Sequence, residues 1–471
     1  MSKANFNYGY IWVIAMVAAI GGFLFGYDWV LVGGAKNFYE PYFELTTPAQ
    51  KGWGTSSAMI GCMIGALLAF LRSDLWGRRR FLIFAGFLFS LSAIGTAVVN
   101  QFVWYNTFRI IGGMGIGIAL NLSPVYISEM SPSHMRGKLV TVNQLLINIG
   151  VLSAQLVNYL IASSDTGLAS DPTAEMIRQS WSGQMGWRWM FAAEAVPAFL
   201  FFILMIFMPE SVRWLVKNGQ YDKAEKILGK IGGKEHARKE ISEIKETISK
   251  EETGKLHYKD LLEPRLIKII LLGFFLVLLQ QWSGLNVVFY YAADIFKAAG
   301  YNIQQMMLNI VVIGGVMVLA VLLTVFIVDT VGRKKLMLFG TGSIAITYGI
   351  IGYMFLVGVQ GAPIVIFTLL NVALYSLTLA PIMWVILSEI FPNRIRGTAM
   401  SLTAIMIWVG NFSLTFSFPT IKENLGWAKN FWLYGLICLV GFVVLYFVLT
   451  ETKNKSLEQI EKELVGEKKK T

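Results

Sequence analysis

The sequence contains few charged residues and few cysteines for a chain of 471 residues. Charged side chains make up 15% of it and apolar side chains 55%, and the mean hydropathy is +0.58. Because a soluble domain carries about 25% charged residues, this composition predicts an integral membrane protein. The two cysteines, Cys62 and Cys438, both lie in apolar segments, which excludes a disulfide framework and a cysteine-based metal site.

Catalytic and nucleic-acid functions also lack support. The three histidines are too scattered for a metal site, and no nucleophile and base stand in a recognisable arrangement. The net charge of +11 comes from short basic clusters between apolar stretches, unlike the basic surface of a nucleic-acid-binding domain. We therefore expect no enzyme, no metal, no cofactor and no nucleic-acid partner.

Twelve apolar segments approach or exceed the roughly 20 residues that a membrane-spanning helix needs. They lie near 11–33, 53–73, 81–101, 103–127, 138–162, 188–208, 266–293, 306–328, 336–358, 362–390, 398–419 and 430–450. The fold class predicted is all-α integral membrane, with two six-helix bundles. The predicted domains are an N-terminal bundle 1–208, a cytoplasmic helical linker 209–265, a C-terminal bundle 266–450 and a cytoplasmic tail 451–471.

Basic residues predict the orientation. The loops GRRR (77–80), MRGKL (135–139), GRKK (332–335) and NRIRG (393–397) alternate with loops such as NQFVWYN (100–106) and GVQGAP (358–363), which have no Lys or Arg. By the positive-inside rule, the basic loops and both termini face the cytoplasm. The first apolar segment is too long for a signal-peptide core, so we expect it to be a retained helix.

The two halves repeat each other. DLWGRRR (74–80) returns as DTVGRKK (329–335), and SEMSPSHMRG (128–137) returns as SEIFPNRIRG (388–397). Parallel repeats of six helices are an architecture of alternating-access transporters. The charges in these loops either set the topology alone or latch the halves together as a cytoplasmic gate. The candidate gate residues are Asp74, Arg78, Glu129, Arg136, Asp329, Arg333, Glu389 and Arg396.

Amide side chains cluster within two of the apolar segments. In the fifth, Gln144, Asn148, Gln155 and Asn158 fall within about 80° of one another on a helical wheel. Such a stripe either packs helices together or binds a polyhydroxylated ligand, whose hydroxyls both donate and accept hydrogen bonds as amides do.

The seventh segment carries Gln280, Ser283, Asn286 and Tyr290 on one face, with Gln281 about 100° away. Ser283-Gly284 is where we expect this helix to loosen, which would bring both glutamines to one cavity. Trp384 and Trp408 are either core aromatics or rings on which the C–H faces of a sugar pack.

Five ordered motifs resemble the sugar porter family of the major facilitator superfamily. They are DLWGRRR, PESVRWL (209–215), QQWSGLNVVFYY (280–291), SEIFPNRIRG and TETKNKSLEQI (450–460). In these motifs the chain is most similar to bacterial proton-coupled monosaccharide symporters of the xylose type. The resemblance implies the twelve-helix major facilitator fold and transport of a monosaccharide or polyol. The sugar-binding positions that it implies are Gln144, Gln280, Gln281, Asn286, Trp384, Trp408 and Asn411.

The chain departs from the family pattern at several positions. Leu75 replaces a frequent Arg, and Thr450 a usual Pro. Val151 and Ile407 stand where xylose symporters carry glutamines, and Met317 where many sugar porters carry asparagine. The family assignment does not depend on these residues, but the choice of sugar does.

Asp28 stands near the end of the first apolar segment. A charge there costs ~3 kcal/mol on insertion scales, so Asp28 is expected to be paired, protonated or in contact with water. Arg109 in the fourth segment is the natural partner, and Glu194 is a second embedded acid. The proton-coupled members of the family resembled carry Asp and Arg at these first two positions, which implies that Asp28 exchanges the coupling proton with help from Arg109 and Glu194.

The sequence thus predicts proton-coupled symport of a pentose, hexose or polyol by alternating access. The alternatives are a facilitative uniporter, in which Asp28 only pairs with Arg109, sodium coupling, a drug or metabolite exporter, and a non-transporting sugar receptor. The expected partners are a sugar or polyol, the proton and the lipid bilayer. The expected setting is a bacterial cytoplasmic membrane, with the monomer as the functional unit.

Overall fold

A computed structural model describes residues 6–165, 167, 172–253, 263–392, 395–453, 455 and 459. Across these residues the regular structure is helical. The helices are α1 Tyr8–Tyr42, α2 Pro48–Trp76, α3 Arg78–Val98, α4 Phe102–Met130, α5 Ser133–Ser163, α6 Ala174–Gln179, α7 Trp187–Ala193, α8 Ala195–Phe207, α9 Val212–Lys217, α10 Tyr221–Thr253, α11 Pro264–Trp282, α12 Leu285–Ala298, α13 Ile303–Val331, α14 Arg333–Leu356, α15 Ala362–Leu377, α16 Leu379–Ile390 and α17 Arg396–Val448. A short π-helical turn, Ser182–Gly186, precedes α7.

The predicted membrane spans are confirmed. Eleven stretches within the described residues are long and apolar enough to cross a bilayer. The last of them, α17, has 53 residues, which is about 80 Å of helix against a hydrocarbon thickness of about 30 Å. Gly426 interrupts it with non-helical dihedral angles (φ 71°, ψ 175°), so α17 comprises two spans and the described residues contain twelve.

The seventh span breaks where the sequence predicts loosening. Helix α11 ends at Trp282 and α12 begins at Leu285, with Gly284 between them in the left-handed conformation (φ 87°, ψ −5°). A Cβ at Gly284 would lie 2.8 Å from the hydroxyl oxygen of Tyr348 and 2.8 Å from Cγ of Tyr434. Both the dihedral angle and the close packing therefore require glycine here.

The linker after the sixth span is helical, as predicted. Ser211 caps α9 by accepting a hydrogen bond from the amide of Trp214 (3.2 Å). Gly233 (φ 85°, ψ 170°) kinks α10. The end of the predicted linker, 254–262, and most of the predicted tail lie outside the described residues.

Two compact units make up the chain. Unit 1 contains Met1–Trp29, Ile60–Ser153 and Phe191–Lys255, and unit 2 contains Val30–Met59, Ala154–Met190 and Leu256–Thr471. Helices α1, α2, α5 and α7 therefore contribute one end to each unit. Within a unit, we call the end that carries the basic loops (74–80 and 128–137, or 332–335 and 389–397) the basic end, and the opposite end the far end.

Candidate functional site

Unit 1 contains a buried cluster of two acids and one base. Asp28 on α1, Arg109 on α4 and Glu194 between α7 and α8 are only 2%, 3% and 3% exposed. A guanidinium nitrogen of Arg109 donates a hydrogen bond to Oδ1 of Asp28. The structure thus brings together three residues that are up to 166 positions apart in sequence.

Glu194 adds a second carboxyl to this pair. Its carboxyl group lies close enough to that of Asp28 for a hydrogen bond to join them once either is protonated. Asp28 Oδ2 accepts no hydrogen bond from a described residue and so remains open to such a proton. Two carboxyl groups can share a hydrogen bond only when one of them carries a proton. One guanidinium, two carboxyls and one proton together make the cluster electrically neutral.

Buried side chains surround the cluster. The guanidinium of Arg109 lies 5.3 Å from the ring centre of Phe191, and Cys62, also fully buried, is close enough to interact electrostatically with Asp28. An unbalanced charge in such a place costs several kcal/mol. The cluster can therefore hold one proton, and losing that proton would leave an uncompensated negative charge.

An amide cluster occupies the break in the seventh span, within unit 2. Gln281 donates a hydrogen bond to the amide oxygen of Gln280 (3.3 Å), and Asn286 donates one to that of Gln281 (2.7 Å). All three side chains are buried. Both glutamines thus belong to one hydrogen-bonded group at the break, and one N–H of the Asn286 amide is donated to Gln281.

Two further helices of unit 2 border this amide cluster. Gln280 donates to the backbone carbonyl of Leu379 at the start of α16 (3.3 Å), the helix that carries Trp384. On α17, Gly410 packs so closely that a Cβ there would lie 3.1 Å from Cβ of Gln281. Asn411, the next residue, accepts a hydrogen bond from Thr415 (3.2 Å).

The two candidate tryptophans differ in exposure. Trp408 is buried on α17, whereas Trp384 on α16 is 40% exposed. Trp384 lies on the helix whose first residue, Leu379, accepts the Gln280 hydrogen bond. The described geometry thus gives Trp384 the more accessible position of the two.

The amide side chains along α5 differ in their hydrogen-bond partners and in their exposure. Asn158 donates to the carbonyl of Leu31 on α1 (3.0 Å), and Asn148 donates to the backbone carbonyl of Gln144 (2.8 Å). Asn158 thus joins α5 to α1, whereas Asn148 bonds within its own helix. Both asparagines are buried, and the Gln144 side chain is the exposed one of the three.

The basic end of unit 1 holds a network of ion pairs. Arg78 lies 2.8 Å from Asp74 and 3.1 Å from Glu129. Glu129 also accepts a hydrogen bond from the hydroxyl of Ser211, and Lys217 pairs with Asp74 at 2.7 Å. This network fastens the linker helix α9 to the ends of α2 and α4.

The remaining candidate gate residues are Arg136 in unit 1 and four residues at the basic end of unit 2. Arg136 donates to the carbonyl of Ser128 (3.1 Å). In unit 2, Arg333 lies 3.3 Å from Glu389, and Arg396 donates to the carbonyl of Phe391 (3.2 Å). The side chain of Asp329 lies outside the described residues.

Sequence reasoning missed two capping glutamates. Glu210 accepts a hydrogen bond from the amide of Arg79 (3.0 Å), and Glu451 accepts from the amides of Arg333 (3.0 Å) and Lys334 (3.2 Å). Each glutamate thus caps the N-terminus of the span that follows a basic loop. The signal was present, because Pro-Glu-Ser and Thr-Glu-Thr follow the sixth and twelfth spans.

Glu451 lies beyond the end of α17, and opposing effects act on its pKa. Burial acts to raise the pKa, but backbone amide donors, among them those of Lys453, Arg333 and Lys334, lower it. The donors prevail, and the pKa lies below its ordinary value of 4.5.

A second missed group lies at the far end of unit 2. Lys36 is buried on α1, with its ammonium nitrogen 2.5 Å from Asp294, 3.5 Å from Glu40 and 3.9 Å from the ring centre of Tyr291. Beside it lies a cavity of about 410 Å³. The six ionisable Lys, Asp and Glu residues that line it are Lys36, Lys51, Lys422, Glu40, Asp294 and Glu423. Lys36 was overlooked because its partner Asp294 is 258 residues away.

Comparison with known proteins identifies relatives over nearly the full length. Residues 14–464 match the family described as "Sugar (and other) transporter". The arabinose-proton symporter of Bacillus subtilis is 35% identical over 96% of this chain and 95% of its own length. The D-xylose-proton symporter of Escherichia coli K12 is 34% identical over 100% of this chain and 99% of its own. An inward-open structure of the E. coli xylose transporter has a TM-score of 0.82 at 33% identity, covering 96% of this chain and 99% of that one.

Proposed function

We propose, from the premise that this chain belongs to the sugar transporter family, that it carries a monosaccharide or polyol together with a proton by alternating access. The chain is a multi-pass membrane transporter and not an enzyme. The relatives named above are symporters of arabinose and xylose. A pentose is therefore the first substrate to test, with hexoses and polyols next.

The observation that carries the proposal is the buried cluster of Asp28, Arg109 and Glu194. Its charges balance with one proton bound, and no further cation is needed. Asp28 is the group proposed to take up and release the coupling proton, Arg109 balances its charge, and Glu194 shares the proton. Moving one proton charge across 100 mV supplies about 2.3 kcal/mol, enough for about 50-fold accumulation of sugar.

The amide cluster at the break of the seventh span supports a sugar site. We propose that Gln280, Gln281 and Asn286 bind sugar hydroxyls, and that a sugar displaces some of the hydrogen bonds that these amides now make with each other. Amides can replace the water that hydroxyls lose, because they both donate and accept. The proposed remaining contacts are Gln144, Trp384, Trp408 and Asn411.

We also propose how the chain is divided and oriented. The functional division is the bundle 1–208, the linker 209–265, the bundle 266–450 and the tail 451–471. The basic ends and both termini face the cytoplasm, as the positive-inside rule predicts, in a bacterial cytoplasmic membrane, and the monomer is the transporting unit. The proposed cytoplasmic gate consists of the charged residues Asp74, Arg78, Glu129, Arg136, Asp329, Arg333, Glu389 and Arg396.

Uptake of a panel of radiolabelled pentoses, hexoses and polyols into cells tests the proposal. We expect one sugar to accumulate, and a protonophore to abolish the accumulation. Asp28→Asn should retain sugar exchange across the membrane but lose accumulation. Asp222→Asn, the same change at an exposed residue of α10, is the matched control and should behave as the native protein.

Two results would contradict parts of the proposal. Equilibration without accumulation, unaffected by the protonophore, would identify a facilitator in which Asp28 is only the partner of Arg109. No uptake of any sugar, with the protein present in the membrane, would refute sugar transport itself.

A further inference from the structure

A cavity at the basic end of unit 1 has no part in the proposed transport. It has a volume of about 420 Å³, within the range of about 300–1,000 Å³ that small-molecule sites occupy. We call it the basic cavity. Its walls come from α3, α9 and α10 and from the segments that precede α9 and α10. They consist of Arg79, Arg80, Glu210, Trp214, Leu215, Gln220, Lys223, Lys226 and Ile227.

Two of the five charged side chains that line the basic cavity form hydrogen bonds with backbone groups. Arg79 donates to the carbonyls of Met205 (3.4 Å) and Ile206 at the end of α8. Its counterpart in the second half, Lys334, does the same to the carbonyl of Tyr446 (2.8 Å). Glu210 is occupied by the amide groups of Arg79 and Ser211.

The other three charged side chains are all cations without an acidic partner. Arg80 and Lys226 make no hydrogen bond or ion pair with any described residue, and Lys223 bonds only with the neutral amide of Gln220 (2.9 Å). Lys223 and Lys226 are three residues apart on α10 and so lie on one face of it. Three like charges around one cavity repel each other unless an anion joins them.

The cavity lies at the first turn of a membrane-spanning helix, where such a helix meets the lipid headgroups. Arg79 and Arg80 belong to the first turn of the membrane-spanning helix α3. The neighbouring helix ends carry large exposed apolar side chains, Trp76 at 56% and Phe207 at 75% exposure. Cations at this depth, beside apolar surface, suit a ligand with a phosphate and acyl chains.

We propose that the basic cavity binds the phosphate of an anionic phospholipid in the leaflet at the basic end. Arg80 contacts the phosphate through its planar fork of donors, and Lys223 and Lys226 contact it from α10. The acyl chains lie along the exposed apolar surface. The bound lipid thereby links the linker helix α10 to the third membrane span.

Binding of phosphatidylglycerol to the full-length protein in neutral detergent, measured by native mass spectrometry, tests this assignment. The double substitution Arg80→Gln and Lys226→Gln removes two of the unpartnered cations. Each cation near a membrane surface changes lipid affinity about fivefold, so we expect about 25-fold weaker binding. Lys230→Gln with Lys234→Gln, an equal charge change at exposed positions of α10 outside the cavity, should bind as the native protein does.

Two controls make the result decisive. Phosphatidylcholine should bind no better to the native protein than to the cavity variant, and sugar exchange in phosphatidylcholine vesicles should be unchanged in the variant, which shows that it folds. Equal phosphatidylglycerol binding by both double variants would overturn the proposal. Glycerol 3-phosphate that binds as tightly as the lipid would also overturn it, because the ligand would then be a soluble phosphate.

Discussion

Removing the charge of Arg109 should destabilise the protein more than removing that of Asp28. In Asp28→Asn, the guanidinium keeps a carboxylate nearby, because Glu194 belongs to the same cluster. The loss is then that of one charged hydrogen bond, about 1.5–3 kcal/mol. In Arg109→Gln, two carboxyl groups remain together with no base. Leaving buried charge uncompensated costs about 3–5 kcal/mol.

The double variant gives the sharper expectation. Asp28→Asn with Arg109→Gln leaves Glu194, which can be neutral when protonated, and no unpaired base. It should therefore be more stable than Arg109→Gln alone, although it carries one more substitution. The coupling free energy between the two sites should be about 1–3 kcal/mol, in the range for residues in direct contact.

The measurement is the apparent melting temperature of the four proteins in one detergent, followed by tryptophan fluorescence. Arg72→Gln, the same chemical change at an exposed position, is the matched control and should stay within about 0.5 kcal/mol of the native protein. Equal destabilisation by the two single substitutions, or a double variant that shows the sum of both, would refute the reasoning that the cluster is held by charge balance.

Two further predictions concern the hinge and a cap. Gly284→Ala should lower stability by at least about 1–2 kcal/mol because of its left-handed conformation, whereas Gly349→Ala, a helical position with open space around it, should be neutral or stabilising in the same melting assay. Glu451 has a lowered pKa, so its contribution is present above pH 4.5 and is lost as the pH falls through the folded-state value. Glu451→Gln should therefore lose less stability than the native protein between pH 6 and about pH 3, and equal losses would contradict the capping role.

The sequence predicts features that depend on short stretches of chain. The spans follow from the length of apolar runs, and the break at Ser283-Gly284 follows from residue type within one run. Both are present in the structure. Helix α1 extends beyond the apolar segment 11–33 from which the span was predicted. A charged residue such as Lys36 can belong to the helix because an ion pair compensates its charge.

Features that depend on distant residues were harder to predict. Asp28 and Arg109 were paired from their embedded charges, since a carboxylate in an apolar segment requires a base. The ion pair of Lys36 with Asp294 was not foreseen, because each stands at the polar edge of an apolar run, where an isolated charge needs no explanation. The roles of Glu210 and Glu451 required the positions of amide groups that only the folded chain supplies.

The Lys36 ion pair also constrains the order of events during biosynthesis. Lys36 precedes Asp294 by 258 residues, and at about 5–20 residues per second the ribosome needs roughly 13–50 s to bridge that interval. The first helix therefore enters the membrane with this lysine lacking its strongest partner, its flexible stem reaching toward water. A chain released before the seventh span is made would have Glu40 but not Asp294 beside this lysine, which offers membrane quality control a means of distinguishing an unfinished transporter from a complete one.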